Sequence, residues 1–385
     1  MESPKKQPMY RYLLVLTISA TVGLQTWRTL FDNFAVHMAG LEGRHIGVIQ
    51  SVREVPGFLT LLIVFVMLVI REHRLSALSI LALGLGIAMT GLLPSFPGLM
   101  LTTLLMSFGF HYFQTTNQSL VLQHFDVQVS PLVFGSLRSI GAASNIAVGL
   151  VIYFLVFVLD YSQIYLLIGV LIVATGLWAL TRNPIDRPTI PQHRKMILRR
   201  RYWLFYLLTF LAGARRQIFV AFAVFLMVKH FHYSVQEISI LFMINNGITF
   251  FLSPLIGRAI VRFGERKVLS LEYACMIFIF LAYATVQSKM LMAGLYILDH
   301  VFFSCAMAIR TYFQKMADPR DIGPSVAVGN TINHIAAVIL PTVGGLLWMI
   351  DYRIPFVIGA FLGLLSLTAV QRMRIPLPPS AADRV

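Results

Sequence analysis

Nine charged side chains stand inside long apolar stretches of the sequence, where each needs a partner or a function. A charged group near the centre of a membrane-spanning helix costs about 2.5–3.5 kcal/mol on insertion scales. The cations outnumber the acids, so these residue types favour the binding of an anion, and the acids could exchange protons. The nine residues are Arg28, Arg53, Arg138, Arg215, Arg216, Arg310, Asp32, Glu54 and Asp299.

Two of these arginines occupy matching positions in a weak internal repeat. Sliding the chain by 188 positions places Arg28 and the segment Phe34–Val36 on Arg216 and Phe222–Val224. A planar guanidinium suits a carboxylate or a phosphate, because it can donate two parallel hydrogen bonds to either group. The repeat therefore predicts two equivalent arginines for one anion. Asp32 lies four residues after Arg28 on the same helix face, so a simple ion pair between them is the alternative.

Other intramembrane charges also have structural interpretations. Arg53 could be neutralised by a carboxylate on a neighbouring helix. Arg138 and Arg310 fall toward one membrane surface, where they could snorkel or form gate contacts. Asp299 could exchange a proton during transport, or it could pair statically with one of the two consecutive arginines.

A strip of polar side chains follows one face of the fourth predicted helix. His111, Gln114, Asn117 and Gln118 recur at spacings of three and four residues, which predicts a face toward a cavity rather than toward lipid. His111 could bind substrate or carry a proton, and a hydrogen-bonded structural histidine is the equal alternative.

The composition decides which class of protein positions these residues. Of 385 residues, 57% are apolar and only 12% are charged, whereas an ordinary soluble domain has about 25% charged residues. The apolar residues form long runs, and about 20 such residues cross the hydrocarbon core as a helix. The runs do not alternate as barrel strands do. We therefore expect an all-α integral membrane protein with twelve transmembrane helices.

The predicted spans follow the apolar runs, and Pro, Asn and Asp residues break the runs between them. They cover 11–38, 44–70, 75–93, 98–124, 131–159, 161–181, 202–230, 236–260, 268–287, 290–316, 323–350 and 353–371. The repeat then predicts an N-terminal six-helix bundle over 1–181, a basic cytoplasmic linker over 182–201, and a C-terminal six-helix bundle with a short tail over 202–385.

The loop cations predict the orientation of these spans. An even number of spans places both termini on one side, and that side carries most of the loop arginines and lysines. The positive-inside rule then predicts cytoplasmic termini in a multi-pass protein of the bacterial inner (plasma) membrane. The net charge of +15 thus reflects topology and contact with anionic membrane lipids, and no nucleic acid is expected as a partner. Cys275 and Cys305 lie in apolar runs, so neither a disulfide framework nor a metal site is predicted.

A local motif follows the eighth predicted span. Gly257, Arg262, Gly264 and Arg266 are spaced as in the Gly-x-x-x-Asp-Arg-x-Gly-x-Arg-Lys loop of the major facilitator superfamily, with Val261 in place of Asp. The number of helices, the two halves and the central linker also resemble this superfamily along essentially the whole chain. The equivalent loop in the first half lacks both the glycine and the aspartate, and no subfamily is assigned.

The resemblance implies roles for the polar residues, because helices 1, 4, 7 and 10 line a central cavity in this superfamily. It places Arg28 and Arg216 on opposite walls of that cavity. The substrate-binding residues would be Arg28, Arg215, Arg216, His111, Gln114 and Gln118. The proton-coupling residues would be Asp32, Glu54 and Asp299. The gating residues would be Arg53, Arg138, Arg310, Asn333, His334, Gly257, Arg262, Gly264 and Arg266.

These observations favour a secondary active transporter that moves a small organic or phosphorylated anion by alternating access with proton coupling. The alternative is a proton-coupled exporter of cationic or neutral amphiphiles, against which the positive excess stands. No Gly-x-x-x-x-Gly-Lys-Ser/Thr loop is present, so neither a nucleotide nor another cofactor is expected. A membrane lipid enzyme or a transporter-like sensor would need clustered catalytic groups or an added domain. We expect a monomer whose partners are its solute and the surrounding lipids.

Overall fold

The computed structural model describes residues 6–41, 43–186, 192–193, 196–233 and 235–374. Within these ranges the regular structure is helical and no strand occurs. Twelve helical runs follow one another, which confirms the number that the apolar runs predict. In chain order they are α1 Pro8–His37, α2 Gly43–Phe58 continued by Leu59–Leu62 and Ile63–Val66, α3 Glu72–Thr90, α4 Phe96–His124, α5 Ser130–Leu155, α6 Tyr161–Leu180, α7 Arg200–Tyr202 continued by Trp203–Ile218, Phe219–Ala223 and Val224–Lys229, α8 Val235–Phe263, α9 Glu265–Thr285, α10 Lys289–Phe303 continued by Ser304–Ala306 and Met307–Met316, α11 Ile322–Ile350 and α12 Ile354–Val370.

The helices begin and end where the sequence supplies caps and turn residues. Ser95 precedes α4, and its hydroxyl accepts a hydrogen bond from the Gly98 amide at 3.2 Å. Asp160 caps α6 in a reciprocal capping box with Gln163. Gly264 joins α8 to α9 with a φ of +81°, a backbone conformation that favours glycine. Such local features explain why the predicted spans lie within a few residues of the helices.

Three helices change their winding along their length. α2 tightens to a 3₁₀ turn at Leu59–Leu62, and α10 does so at Ser304–Ala306. α7 widens to a π turn at Phe219–Ala223, which begins three residues after Arg216. These interruptions free backbone groups from the regular helical pattern, and π turns are frequent at functional sites.

The helices differ in how strongly their composition favours the membrane. Within the described residues, seven helices are by themselves long and apolar enough to cross a membrane. α1, α4 and α7 are not among the seven, and each carries polar or charged residues well inside its length. Polar groups in membrane helices face the bundle interior or a water-filled cavity rather than lipid. These three helices are therefore expected to surround a polar site.

The two halves of the chain share one apolar core at one end of the bundle. We call this the basic end, because it holds the arginines of residues 196–201 and of the loops 67–71 and 317–321. The largest cluster of buried apolar residues combines the first half with the basic ends of α7–α12. The buried members of a second cluster all lie between Ile218 and Ala360, in the second half. The halves are thus joined at the basic end, and the second half has its own core toward the opposite end.

Glycines allow α5 and α8 to touch near the basic end. A Cβ added at Gly257 would stand 2.5 Å from the carbonyl oxygen of Pro131, and one at Gly135 would stand 2.5 Å from that of Ser253. Any side chain at either position would push the two backbones apart. This contact therefore depends on glycine in both helices.

Hydrogen bonds join the halves at the same end. The side-chain amide of Gln314, on α10, donates to the carbonyl oxygens of Leu122 and Phe125 at 2.8 Å and 2.7 Å. Its oxygen accepts a hydrogen bond from the hydroxyl of Ser130 at 2.5 Å. One side chain of the second half thus binds the end of α4 and the start of α5 together.

Candidate functional site

Two arginines from the first helix of each half line one cavity near the middle of the bundle. We call it the outer cavity; its volume is about 350 Å³, and α1, α2, α4, α7 and α11 surround it. Arg28 is exposed and Arg216 is half-buried. Neither forms an ion pair with a residue that the structure describes. The side chain of Asp32, the predicted alternative partner of Arg28 and a predicted proton-coupling residue, lies outside the described residues.

An ion pair on α2 and two histidines complete the outer cavity. Arg53 Nη2 lies 2.7 Å from Glu54 Oε1, and the Arg53 guanidinium carbon is 5.4 Å from the centre of the Trp27 ring. The partner of Arg53 is therefore its neighbour in sequence, and the expected carboxylate on another helix is not found among the described residues. Glu54 Oε2 lies 3.8 Å from Nδ1 of the buried His334. The His334 ring meets that of His111 edge to face, with centroids 4.8 Å apart.

A second space adjoins the outer cavity on the side of the basic end. We call it the inner chamber, and its volume is about 400 Å³. Gln114 and Arg216 line both spaces, so the two are adjacent. Side-chain amides and hydroxyls, among them Gln118 and Asn117, supply most of the remaining polar lining. No aspartate or glutamate occurs in that lining within the part of the chain that is described.

Two arginines cross between the halves at the inner chamber. Arg138 of α5 places its guanidinium carbon 5.9 Å from the centre of the Phe303 ring of α10. Arg310 of α10 places its own 5.9 Å from the centre of the Phe134 ring of α5. Each helix therefore offers one arginine to an aromatic ring of the other, an arrangement that stabilises a cation only modestly.

Arg215 is turned away from these two spaces. Its Nη2 lies 3.3 Å from Oε1 of Glu272 on α9, and its guanidinium carbon is 4.2 Å from the centre of the Tyr273 ring. Asp299 borders the same small void as Arg215 and Glu272. The second oxygens of both acids, Glu272 Oε2 and Asp299 Oδ2, have no hydrogen-bond partner among the described residues. Asp299 therefore lies beside the ion pair of Arg215 and Glu272.

The residues predicted as gates do not form one cluster: Arg53 and His334 line the outer cavity, whereas Arg138 and Arg310 line the inner chamber. Asn333 Nδ2 donates to the Thr209 carbonyl oxygen at 3.3 Å and so joins α11 to α7. Arg266 Nη2 donates to Gln371 Oε1 at 3.0 Å within the second half. Arg262 contacts the ring of the following phenylalanine, 5.3 Å from its centre. Of the motif residues, only Gly257 touches the first half in the contacts described here.

Asp321, which the sequence pattern does not single out, organises a polar joint at the basic end. Its fully buried carboxylate lies 2.6 Å from Arg199 Nε and 2.7 Å from His193 Nδ1. The hydroxyl of Tyr202 donates to it at 2.5 Å. Burial alone would raise the pKa of Asp321, but the hydrogen bonds from these three residues hold it below its ordinary value.

Most of the predicted substrate-binding residues come together. Five of the six line the outer cavity, the inner chamber or both: Arg28, Arg216, His111, Gln114 and Gln118. The sixth, Arg215, lies behind them in its ion pair with Glu272. The sequence-based prediction omits Glu272, although an acid inside the ninth apolar run is the feature that could have identified it.

The second half of the chain matches a known family. The match covers residues 205–384 and belongs to the Major Facilitator Superfamily. No curated protein sequence matches the chain.

Solved structures with similar folds cover almost the entire chain. A bacterial homologue of the iron transporter ferroportin, in an outward-facing state, has a TM-score of 0.77 and 13% identity over 95% of this chain and 99% of its own. The Major Facilitator Superfamily transporter FucP, in the outward conformation, has a TM-score of 0.76 and 12% identity over 95% and 98%. The human organic anion transporter MFSD10 (TETRAN) has a TM-score of 0.73 and 12% identity over 96% and 100%. With its apolar helices, this fold makes the chain an integral, multi-pass membrane protein.

Proposed function

We propose that the chain is a secondary active transporter of the major facilitator superfamily, a proposal supported by the family match over residues 205–384 and by the shared fold. Its substrate is a small organic or phosphorylated anion, which it moves by alternating access. The similar structures carry different solutes by name, namely iron, fucose with protons, and organic anions. A shared fold does not choose among solutes, so the substrate class rests on the site.

One observation carries the proposal: Arg28 and Arg216, from equivalent helices of the two halves, line one cavity without acidic partners among the described residues. A guanidinium withdrawn from water without a counter-ion is costly. A bound carboxylate or phosphate supplies that counter-ion and accepts paired hydrogen bonds from each arginine. A substrate bound by both arginines contacts both halves, so its binding can change how the halves are arranged during transport.

The charge balance of the two spaces supports an anion over a cationic amphiphile. Glu54 is the one carboxylate in the described lining, and it is already paired with Arg53. The arginines of the lining are Arg28, Arg53, Arg138, Arg216 and Arg310. A cation entering these spaces would meet a net positive field, whereas an anion would relieve repulsion among the arginines.

The two ends of the bundle support alternating access. At the basic end the halves share a core, glycine contacts and hydrogen bonds, whereas Arg28 in the outer cavity is exposed. Rocking the halves would open the basic end and close the end of the bundle toward which the outer cavity lies. In our proposal the basic end and both termini lie in the cytoplasm of a bacterium, next to anionic lipid. The protein acts as a monomer in the plasma membrane.

Asp299 and Glu272 are our candidates for proton coupling in the second half. Both border the void that Arg215 and Arg216 also line. An anion bound by Arg216 changes the charge beside these acids, and this change can favour uptake or release of a proton. Asp32 and Glu54 are the corresponding candidates in the first half.

A ligand screen tests the substrate class. Purified protein is heated with anionic and with cationic metabolites, and a ligand at 100 times its dissociation constant should stabilise it by about 2.7 kcal/mol. We expect anions to stabilise the protein, and Arg28→Gln and Arg216→Gln each to weaken anion binding by at least about tenfold. Arg28→Lys keeps the charge without the planar fork and should bind at an intermediate level. Arg182→Gln is the control, because that exposed arginine contacts Trp178 and lines neither space.

The proposal fails if an identified anion binds equally well to the wild type and to folded Arg28→Gln and Arg216→Gln. Stabilisation by cationic compounds alone would instead support export of cationic amphiphiles.

Proton coupling is tested separately in proteoliposomes. We expect Asp299→Asn to bind the anion but to lose accumulation driven by a pH gradient, because an amide cannot carry the proton. Asp32→Asn is measured beside it. Uphill transport retained by both variants would exclude these two acids as coupling groups.

Orientation is tested by labelling single cysteines in intact cells. Gln128 is exposed at the basic end and Gln287 is exposed at the opposite end. A membrane-impermeant maleimide should label Gln287→Cys and spare Gln128→Cys. The reverse pattern would place the basic end outside.

A further inference from the structure

We propose that the inner chamber is a second anion subsite and that the substrate carries two anionic groups. Arg28 and Arg216 hold one group in the outer cavity, and Arg138 and Arg310 hold the other in the inner chamber. This inference rests on the proposed function and adds to it the number and placement of charges on the solute. Each group is a carboxylate or a phosphate, since both accept paired hydrogen bonds from a guanidinium.

The inner chamber has the charge and the room for such a group. Arg138, Arg216 and Arg310 line it, and no acid does so among the described residues. Three guanidiniums around a space of about 400 Å³ repel one another more strongly than they would in water, because the surrounding medium is less polar. An anion placed among them removes this repulsion.

Three residues that line the inner chamber carry unsatisfied polar atoms. Arg138 Nε is buried without a hydrogen-bond partner in the described structure, and so are Asn117 Oδ1 and Thr249 Oγ1. Leaving a buried donor unpaired costs about 1–3 kcal/mol, more when it is charged. A ligand oxygen could accept a hydrogen bond from Arg138 Nε or from the Thr249 hydroxyl, and a water molecule could donate one to Asn117 Oδ1.

The ring contacts of the two arginines do not replace that partner. Arg138 and Arg310 lie 5.9 Å from the Phe303 and Phe134 ring centres, at the outer limit of a cation–π contact. Such contacts orient the planar guanidiniums and leave their edges free to donate hydrogen bonds. Because each arginine lies against a ring of the other half, a group bound between them touches both halves at once.

The two subsites are adjacent. Arg216 and Gln114 line the outer cavity and the inner chamber alike, and in our proposal one substrate molecule spans both spaces past these two side chains. A solute with a single anionic group would leave Arg138 and Arg310 unpaired. A solute with an anionic group at each end satisfies both pairs of arginines.

Matched mono- and dianions test the inference. Dissociation constants are measured by thermal shift for the dicarboxylates from malonate to adipate and for the monocarboxylates of equal length, at constant ionic strength. 3-Phosphoglycerate and glycerate form a further pair that distinguishes phosphate from carboxylate. We expect at least one dianion to bind the wild type about tenfold or more tightly than its matched monoanion, which corresponds to about 1.4 kcal/mol.

The variants assign that preference to the chamber. Arg138→Gln and Arg310→Gln should reduce the dianion preference to near unity, because they weaken dianion binding much more than monoanion binding. Arg28→Gln should weaken both classes of anion, and Arg182→Gln should weaken neither. Retained monoanion binding shows that the two chamber variants are folded.

The remaining outcomes of these measurements would contradict the inference. A wild type that binds monoanions and dianions equally, or a preference that survives in both chamber variants, would remove the second subsite and leave the proposed function intact. Equal loss of both classes in folded chamber variants would indicate one site for one anionic group. Folded wild type that binds none of these anions would overturn the proposed function together with this inference.

Discussion

The basic end and the centre of the bundle differ in whether their arginines are paired with acids. At the basic end, Arg199 and Tyr202 satisfy the buried carboxylate of Asp321. At the centre, Arg28 and Arg216 face open space without an acidic partner among the described residues. Arg199 is thus paired with an acid inside the protein, whereas Arg28 and Arg216 have no such partner in the part of the chain that is described.

The difference indicates what each region is for. Removing one member of a satisfied buried network destabilises a protein strongly. A charge without a counter-ion inside a membrane bundle is itself a cost that the fold carries. A chain retains such a cost where a ligand supplies the missing charge. We therefore expect substitutions at the basic end to change stability and closure, and substitutions at the centre to change binding.

The largest expected effect on stability comes from Asp321→Asn. Arg199 contacts both carboxylate oxygens, at 2.6 Å and 3.0 Å. The amide has no negative charge and replaces one of these two acceptors by an NH₂ donor. We expect a loss of about 3 kcal/mol, at the low end of the cost of breaking a buried pair, because Arg199 is partly exposed. The measurement is the melting temperature in detergent. If Asp321→Asn melted at the same temperature as the wild type, or if it bound the anion more weakly, the proposed difference between the two regions would be wrong.

The same carboxylate gives a pH dependence of defined sign. Its pKa is lowered in the folded protein, so the stability that it contributes is present above the unfolded value of about 3.9 and is lost as the pH falls through the folded value. The difference in melting temperature between wild type and Asp321→Asn should therefore be constant from pH 8 to about 5 and should shrink below about 4. A difference that vanishes near pH 6 would assign the effect to another group.

The next effect in size concerns the glycine contact that closes the basic end. Gly257→Ala places a methyl group 2.5 Å from the Pro131 carbonyl oxygen, and overpacking of this kind costs about 1–3 kcal/mol. The closed arrangement should lose about 2 kcal/mol relative to the open one. Gly247→Ala, ten residues earlier on the same helix, meets no atom within 4 Å and should leave the equilibrium unchanged.

The distance between the halves measures this equilibrium. Spin labels on the exposed side chains Gln128→Cys and Lys267→Cys, in a chain with Cys275 and Cys305 replaced by alanine, report the separation at the basic end. Gly257→Ala should add a population at longer distance. Identical distance distributions for Gly257→Ala and Gly247→Ala would show that the glycine contact does not hold the end closed.

Much of this fold could be predicted from the sequence because the membrane imposes it. Apolar run length, Pro and Gly breaks and the internal repeat determine the number, order and approximate ends of the helices. The changes of winding at Leu59–Leu62 and Phe219–Ala223 could not be predicted from these sequence features. They depend on partners from neighbouring helices, which local sequence does not reveal.

The site could be predicted in part. Intramembrane charge and helical spacing identify Arg28, Arg216 and Gln114, because polar residues in a membrane helix face the interior. Pairings were harder: Arg53 bonds to its neighbour Glu54, although adjacent helical residues do not share a face. Long side chains fold back along the helix, and spacing rules for Cβ positions do not describe them. Partners distant in sequence, such as Glu272 for Arg215, also require the packed structure.

The third largest effect on closure and stability concerns the hydrogen bonds that Gln314 makes across the halves. Gln314→Met keeps the length of the side chain but leaves the carbonyl oxygens of Leu122 and Phe125 and the hydroxyl of Ser130 without this partner. Exposing such groups to an apolar surrounding costs about 1–3 kcal/mol, so closure should weaken by about 2 kcal/mol or slightly less. The spin-label pair at the basic end measures the change. Unchanged distances would mean that water replaces the amide at no cost.

The smallest expected effect separates packing from hydrogen bonding at the contact between α2 and α11. The Thr331 hydroxyl donates to the Phe58 carbonyl oxygen at 3.1 Å and accepts from the Leu61 amide at 2.9 Å. Leu61 lies in the 3₁₀ turn of α2, so the second half satisfies a backbone group that the change of winding leaves available. Thr331→Val preserves the shape and removes both bonds.

Partly exposed hydrogen bonds contribute about 0.5–1.5 kcal/mol each, and water can replace some of that loss when the helices separate. We therefore expect Thr331→Val to shift the equilibrium by about 1 kcal/mol, a change of roughly fivefold in the open population. Thr368→Val is the matched control, because its hydroxyl donates only within α12, to Leu365. If the two threonine variants behave alike, the α2–α11 contact is held by apolar packing. The seal at the basic end would then depend on Gly257 and Gln314, and the open and closed regions would differ by fewer contacts than we infer.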